Sequence, residues 1–342
     1  MPDTKDSPQR RITLKHVAKA AGVSLASASY ALNGSGSVGE ETRARVLEVA
    51  TSLGYRQNLA AKAMRAGRTG AIGLVIPDIT NPLFPSLIQS VMHRAQQAHY
   101  SVIVVDTEGV EAKESNAIRL LVERGVDGLV WFPIRDRTDI GRLLENVPTV
   151  VVDRTLANFE LVQADYAGGG RLAAEYLVDL GHQNIGVISG PRDVLSMTER
   201  CQAAIDYIST HAHLAFYAEN AFSTDLEPDV VKAVKAGKAS ALFVGADLIA
   251  IGVLKLAEAE GIRVPEDLSI VSFDDIPWAR LSTPPLTTIE MPLEDMATEA
   301  VDILTRRIEG HPEMRRRIVF ETGLVERKSA TFYDGKGTKA RK

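Results

Sequence analysis

Two groups of residues in this chain have the types and spacing to do chemistry. The first lies in Thr13–Asn33, TLKHVAKAAGVSLASASYALN, where Leu25, Ala26, Ser29, Tyr30 and Asn33 share the outer face of a short predicted helix. That face is largely apolar, suited to thymine methyls and single hydrogen bonds rather than to charge pairing. The second group follows predicted strands of an α/β sheet, where ligand sites form beyond the carboxyl ends. Phe84 follows the first strand, Asp153 and Arg154 the fourth, and Asp247 a later one. Phe84 would stack on a ligand ring, and the charged groups would hold a polar one. Asp247 has a second reading, as a helix cap.

The elements that must position the first group are two short helices. Thr13 caps the first, whose Leu14, Val17, Ala18 and Ala21 fall on one buried face. Gly22 supplies the tight turn, and Ser24 caps a second helix that ends at Asn33-Gly34. Ala28, Ala31 and Leu32 turn inward. Two helices around a glycine turn match the helix-turn-helix pattern, whose second helix enters the DNA major groove; a plain helical hairpin is the alternative. Thr13 and Ser24 join the outer-face residues as expected DNA contacts. A third helix, Glu40–Leu53, should bury Val46, Leu47, Ala50 and Leu53. Gly34–Gly39 spells G-x-G-x-x-G, but a helix precedes it rather than a strand, so it reads as a loop.

The second group needs strands and helices in alternation, and these begin at Ala71. Strands are predicted at Ile72–Ile76, Ser101–Val105, Gly128–Phe132 and Thr149–Val152, with helices at Ser86–Ala98 and Glu111–Arg124. A second set runs from a helix at Gly168–Leu180 through strand Ile185–Ser189, helix Met197–Ile208, strand Ala241–Gly245 and helix Asp247–Glu260 to strand Leu268–Phe273. Such alternation means parallel sheets covered by helices, and two sets mean two lobes.

Charge separates the same two regions. Residues 1–69 carry eleven Lys and Arg against five Asp and Glu, a net of +6, while the whole chain of 342 carries −5, leaving −11 beyond. A basic head on an acidic body points to a polyanion met by the head alone. The single cysteine, Cys201, excludes an internal disulfide and fits a reducing cytoplasm, and MPDTKDSPQRR lacks the apolar core of a secretory signal. No nucleophile elbow, phosphate loop or metal quartet appears, so neither an enzyme nor a cofactor is expected. His211 and His213 alternate as on a strand but have no third ligand nearby. Cys201 reads as packed core, and Arg315–Arg317 as a solvated face.

Thr13–Asn33, GEETRARVLEVATSLGY, IGLVIPDITNPLF, VDGLV, GGGRLAAEYLVDLGHQNIGVISG and VPEDLSIVSFDDIPWARLSTPPLTTI together resemble the LacI/GalR family of transcription regulators. The blocks stand in family order over nearly the whole chain. The resemblance implies an α/β protein: a helix-turn-helix headpiece at 1–57, a hinge helix at 58–69, and a two-lobed periplasmic-binding-protein-like effector domain at 70–342. Lobe 1 would be about 70–165 and 292–320, and lobe 2 about 166–291 and 321–333. In the hinge, Asn58, Ala61 and Met64 would meet DNA, with Met64 as a minor-groove wedge and Lys62, Arg65 and Arg68 on phosphates; a plain basic linker is the alternative.

In the cleft, Arg200 matches the family's effector-gripping guanidinium, Phe222 a second-lobe aromatic, and Asp274 of SFDD the carboxylate that takes sugar hydroxyls. Ala246 and Met291 stand where polar residues are common in the family, which weakens the case for any specific sugar. The implied protein is a cytoplasmic homodimer or tetramer binding a palindromic DNA operator under control of a sugar-like effector, without catalytic or metal residues. Its rivals are a solute-binding protein, opposed by the basic head, and a metabolic enzyme, opposed by the missing catalytic group.

Family members commonly place Arg or His where this chain has Tyr30, and arginine there could grip guanine with a pair of hydrogen bonds worth roughly 1–3 kcal/mol. Tyr30→Arg should therefore shift the preferred half-site base toward guanine, with spacing unchanged, in selection from random DNA. Identical selected motifs would leave Tyr30 as a phosphate contact.

Overall fold

The computed structural model describes residues 12–33, 36–55, 67–135, 140, 143–154, 156, 159–311 and 316–333. The chain divides into two compact units, Met1–Thr69 and Gly70–Lys342. Within the first are α1 (Leu14–Ala21), α2 (Leu25–Asn33) and α3 (Glu40–Ser52). At the start of α1, the Thr13 amide donates to His16 Nδ1 at 3.0 Å. Gly22 ends the helix at φ 67°, a left-handed conformation that glycine adopts without steric cost. Ser24 caps α2 by accepting from the Ser27 amide at 3.0 Å.

Small residues let the three helices pack closely. Val17, Ala18, Ala21, Ala28, Ala31, Val46 and Ala50 form the buried core of this unit. Leu47, expected inside, is 45% exposed, and Leu53 is only half-buried. The stripe through Val46 and Ala50 continues to Val49, which packs on the core, and leaves Leu47 off to one side.

The second unit holds two sheets of six strands. The first sheet has the order β11-β5-β4-β3-β1-β2, from β1 (Ala71–Ile76), β2 (Ser101–Asp106), β3 (Gly128–Trp131), β4 (Thr149–Val152), β5 (Glu160–Ala164) and β11 (Arg317–Phe320), all parallel. The second has the order β12-β10-β9-β8-β6-β7, from β6 (Asn184–Ser189), β7 (His213–Glu219), β8 (Ala241–Val244), β9 (Ser269–Asp274), β10 (Thr287–Glu290) and β12 (Gly323–Val325). Only the β10–β12 pair in it is antiparallel. The helices that cover the sheets are α4 (Leu83–Gln97), α5 (Glu111–Glu123), α6 (Tyr166–Asp179), α7 (Leu195–His211), α8 (Pro228–Lys235), α9 (Asp247–Ala259) and α10 (Leu293–Ile308). Continuous burial along β3, β4, β8 and β9 follows from helices on both faces.

In each sheet the order reverses beside the first strand, so each lobe has a crevice at its carboxyl edge. Strand β5 carries Glu160 and Gln163, both buried, and Glu160 is paired with Arg307 of α10. His211 is the last residue of α7 rather than a strand residue, with its ring stacked on Tyr207, and His213 opens β7.

The helices α6 and α7 press together at Gly170, one of three glycines near the start of α6. A Cβ at Gly170 would lie 1.9 Å from the Arg200 carbonyl oxygen, and one at Gly169 would lie 2.7 Å from the Phe273 ring. Gly170→Ala should therefore cost about 2–3 kcal/mol, despite alanine's better helix propensity. Gly323→Ala, where no atom lies within 4 Å of the added carbon, should stay near wild type. Urea unfolding of both variants checks this; a neutral Gly170→Ala would show that the helices can part freely.

Candidate functional site

The outer face of α2 presents Leu25 and Tyr30, about half-exposed, together with Ala26 and Asn33. Ser29 is half-buried and accepts from Asn33 Nδ2 at 3.2 Å. No residue of α2 is charged. The Tyr30 ring lies over Gly36, where an added Cβ would come within 2.9 Å of it, so this glycine (φ 75°) fixes the ring's inner side. Thr13 and Ser24 are exposed at the helix starts. Asn58, Ala61 and Met64, with Lys62 and Arg65, lie outside the described residues.

Of the other expected residues, Asp153, Arg154, Arg200 and Asp274 converge where the two lobes meet. Asp153 follows β4 in a left-handed conformation (φ 77°). Its Oδ1 accepts from the Tyr166 hydroxyl at the start of α6, and its Oδ2 accepts from Ser196 Oγ of α7 at 3.3 Å. Burial, and then the Asp153 charge, raises the Tyr166 hydroxyl well above its ordinary value, so it stays a donor. Arg154 Nε stands 3.2 Å from the same Oδ2.

Arg200 is the most fully bonded group of the cleft. Its Nη1 donates to Asp274 Oδ1 at 2.8 Å and to the Gly245 carbonyl at 2.9 Å, and its Nε donates to the Ser196 carbonyl at 3.3 Å. The guanidinium also lies 3.8 Å from the centre of the Phe273 ring and 5.0 Å from that of Tyr166. Burial pushes the Asp274 carboxyl up to about 6, against the pull of Arg200. A cavity of about 500 Å³ runs past Asp274, Ile276 and Met291 to Leu83 and Ser86 of α4, a size for a small metabolite.

Three expectations need correction or refinement. Phe84 is buried, with its ring edge-on to Phe132 at 5.4 Å, and so stacks on the protein itself. Asp247 makes no cap bond to its own helix. It is completely buried and turned inward, accepting from Ser272 Oγ at 2.5 Å, Thr288 Oγ1 at 2.7 Å and the Ile276 amide at 2.8 Å. It thereby ties the start of α9 to β9, β10 and the turn after Asp274. Phe222 does reach solvent, 36% exposed, beside Gly190 and Met197. Its loop is held by buried Asn220, whose Oδ1 takes the Glu227 amide at 2.7 Å and whose Nδ2 reaches the carbonyls of Ala221 and Asp225.

Tyr166, Ser196 and Phe273 escaped the reading of strand ends. Tyr166 and Ser196 sit at helix starts facing the carboxyl edge, and that position was the available signal. Ala246 and Met291 are both buried, and Cys201 lies in the core against Met197 Sδ at 3.8 Å. Among the described residues no three His, Cys, Asp or Glu side chains group as metal ligands, and no helix is long and apolar enough to cross a membrane.

Burial, and next the neighbouring Asp274 charge, pushes the Asp247 carboxyl from 3.8 to about 8. The folded protein therefore binds this proton more tightly than the unfolded chain. The stability it contributes is fully present below 3.8 and is lost as pH rises through about 8. Asp247→Asn cannot ionise, so between about pH 6 and about 9 it should lose less stability than wild type, by on the order of 2 kcal/mol. Denaturant midpoints across that range test this; equal losses would mean an ionised carboxylate throughout.

Residues 13–58 match the bacterial regulatory proteins of the lacI family, and residues 174–330 match the periplasmic binding protein-like domain. The ribose operon repressor of Halalkalibacterium halodurans is 32% identical over 324 residues, covering 93% of this chain and 96% of its own. The lac repressor dimer bound to operator and the anti-inducer ONPF superposes with a TM-score of 0.84 at 25% identity, over 94% of this chain and all of that one. The complex of transcriptional regulator CelR with cellobiose superposes with a TM-score of 0.70 at 27% identity, over 94% of this chain and all of that one. The headpiece, the two-lobed domain and these relatives together show that the chain belongs to the LacI family of bacterial regulatory proteins.

Proposed function

We propose that the protein is a transcriptional repressor of the cytoplasm, binding a palindromic operator as a dimer and releasing it when a small polar metabolite occupies the cleft. A twofold dimer presents two copies of α2 to two half-sites, which accounts for the palindrome. Thr13, Ser24, Leu25, Ala26, Ser29, Tyr30 and Asn33 would form the contact set of each headpiece, with Asn58, Ala61 and Met64 continuing it into the hinge. In the cleft, Asp153, Arg154, Arg200, Phe222 and Asp274 would act on the effector, with Asp247 holding Asp274 in place.

One observation carries the allosteric part of this reading. Asp153 of the first lobe takes hydrogen bonds from Tyr166 and Ser196, which open two helices against the second. A ligand that competes for these groups changes how the lobes close. A differential affinity of about 1–3 kcal/mol between the two lobe arrangements is enough to shift operator occupancy. Arg135 bridges the lobes as well, 2.8 Å from Glu111 and 3.3 Å from Asp193, but all three side chains are largely exposed and the bridge adds little.

The fragment 70–342 forms a compact unit with its own core. It should remain folded and dimeric, retain ligand-induced thermal shifts, and bind operator DNA at least about 1,000-fold more weakly than the full chain, since specific affinity typically exceeds non-specific by that factor or more. Fluorescence anisotropy with an operator selected by the full protein measures this. Undiminished DNA binding by the fragment would remove the headpiece from the function.

A further inference from the structure

The two arginines of the cleft differ in one decisive respect. Arg200 has its charge opposed by Asp274 and its donors taken by carbonyl oxygens. Arg154 is equally enclosed, 6% exposed, yet its Nε and Nη1 are buried without a hydrogen-bond partner. Its ion contact is the 3.2 Å approach of Nε to Asp153 Oδ2, and both oxygens of that carboxylate already accept from Tyr166 and Ser196. A guanidinium presents five donors, and the three on Nε and Nη1 are buried here unused, which is costly.

We propose that the effector is an anion, and that Arg154 rather than Arg200 holds its charged group. This rests on the cleft being the effector site of the regulator described above. The parallel N–H bonds of a guanidinium match the two oxygens of a carboxylate or a phosphate, and the ligand's charge offsets the buried one. A sugar hydroxyl brings no charge and needs an acceptor for its own proton. Two second-lobe positions, buried Ala246 and Met291, offer no hydrogen-bonding side chain for it. The left-handed backbone at Asp153 sets the corner from which Arg154 projects. The effector class is therefore a small polar body carrying a carboxylate or a phosphate, with its charge at Arg154.

The test compares wild type with Arg154→Met, which keeps most of the stem and removes the charge, and with Arg154→Lys, which keeps the charge and loses the fork. Inorganic phosphate titrated at constant ionic strength should raise the wild-type melting temperature saturably. Arg154→Met should show at least a tenfold weaker response, and Arg154→Lys an intermediate one. Without any anion, Arg154→Met should melt at or above the wild-type temperature, because an unpaired buried charge has gone. D-Ribose 5-phosphate and D-gluconate, set against neutral D-ribose, then tell the phosphate from the carboxylate. A lower melting point of Arg154→Met without anion would mean the guanidinium is already satisfied, and would overturn the proposal. So would the absence of a phosphate response in wild type, or equal responses in all three proteins. If D-ribose releases operator from wild type and Arg154→Met alike, the regulator stands and the anionic effector falls. If neither anions nor neutral sugars nor cleft substitutions alter operator affinity, the regulatory reading itself falls.

Discussion

The buried ion pair between Arg200 and Asp274 is the contact on which the second-lobe wall of the cleft depends. Two charges at 2.8 Å inside a protein remain ionised only if nearly all their other donors and acceptors are met. Here Gly245 and Ser196 supply carbonyls, Phe273 supplies a ring face, and Asp274 adopts a backbone angle (φ 113°) that few residues other than glycine tolerate. That strained turn is held by Asp247 through the Ile276 amide. The same arginine contributes the carbonyl that leaves room only for glycine at position 170. Helix spacing, turn geometry and cleft charge are thus one problem, solved around one guanidinium.

The first lobe meets this wall chiefly through the Asp153 carboxylate. Asp153 links β4 to the starts of α6 and α7, so the seam is made of polar contacts that a polar ligand can replace one for one. An apolar seam of similar area would close more firmly but would give a ligand nothing to exchange. Bistability of this kind needs contacts of modest net strength, and hydrogen bonds that trade with water or ligand have it.

Much of the fold was legible because buried parallel strands leave continuous apolar runs. AIGLVI, TVVV and ALFV stand out against their polar flanks, and the predicted strands agree with β1–β4 and β6, β8 and β9 to within a residue or two at their ends. Strand β5 was missed because its sequence, ELVQA, includes two polar residues that burial would normally exclude. Glu160 is admitted there by Arg307, a partner 147 residues away that no local pattern reveals. Strands β10, β11 and β12 are short, and their pairing comes from distant chain. In the cleft, the positions of Asp153, Arg200 and Asp274 were readable from strand ends and from family likeness. The directions of side chains were not. Phe84 and Asp247 both follow strands, as ligand residues do, yet both turn into the protein, because Phe132 and the Ser272–Thr288 pair wait there. Leu47 shows the same limit in the headpiece, where a small rotation of α3 chose Val49 instead.

Helix α2, the proposed recognition helix, is built from LASASYALN, nine residues without a single charge. Salt weakens protein–DNA complexes chiefly through the counterions that cationic side chains displace from phosphates. The cations of the basic first 69 residues lie elsewhere, in helices α1 and α3 and beyond, and in the proposed complex they would grip operator and random DNA on similar terms. The base-reading surface releases no counterions of its own. Ionic strength should thus change how tightly this regulator holds DNA far more than how well it tells one sequence from another, so discrimination would survive shifts in cellular salt that empty or fill its sites.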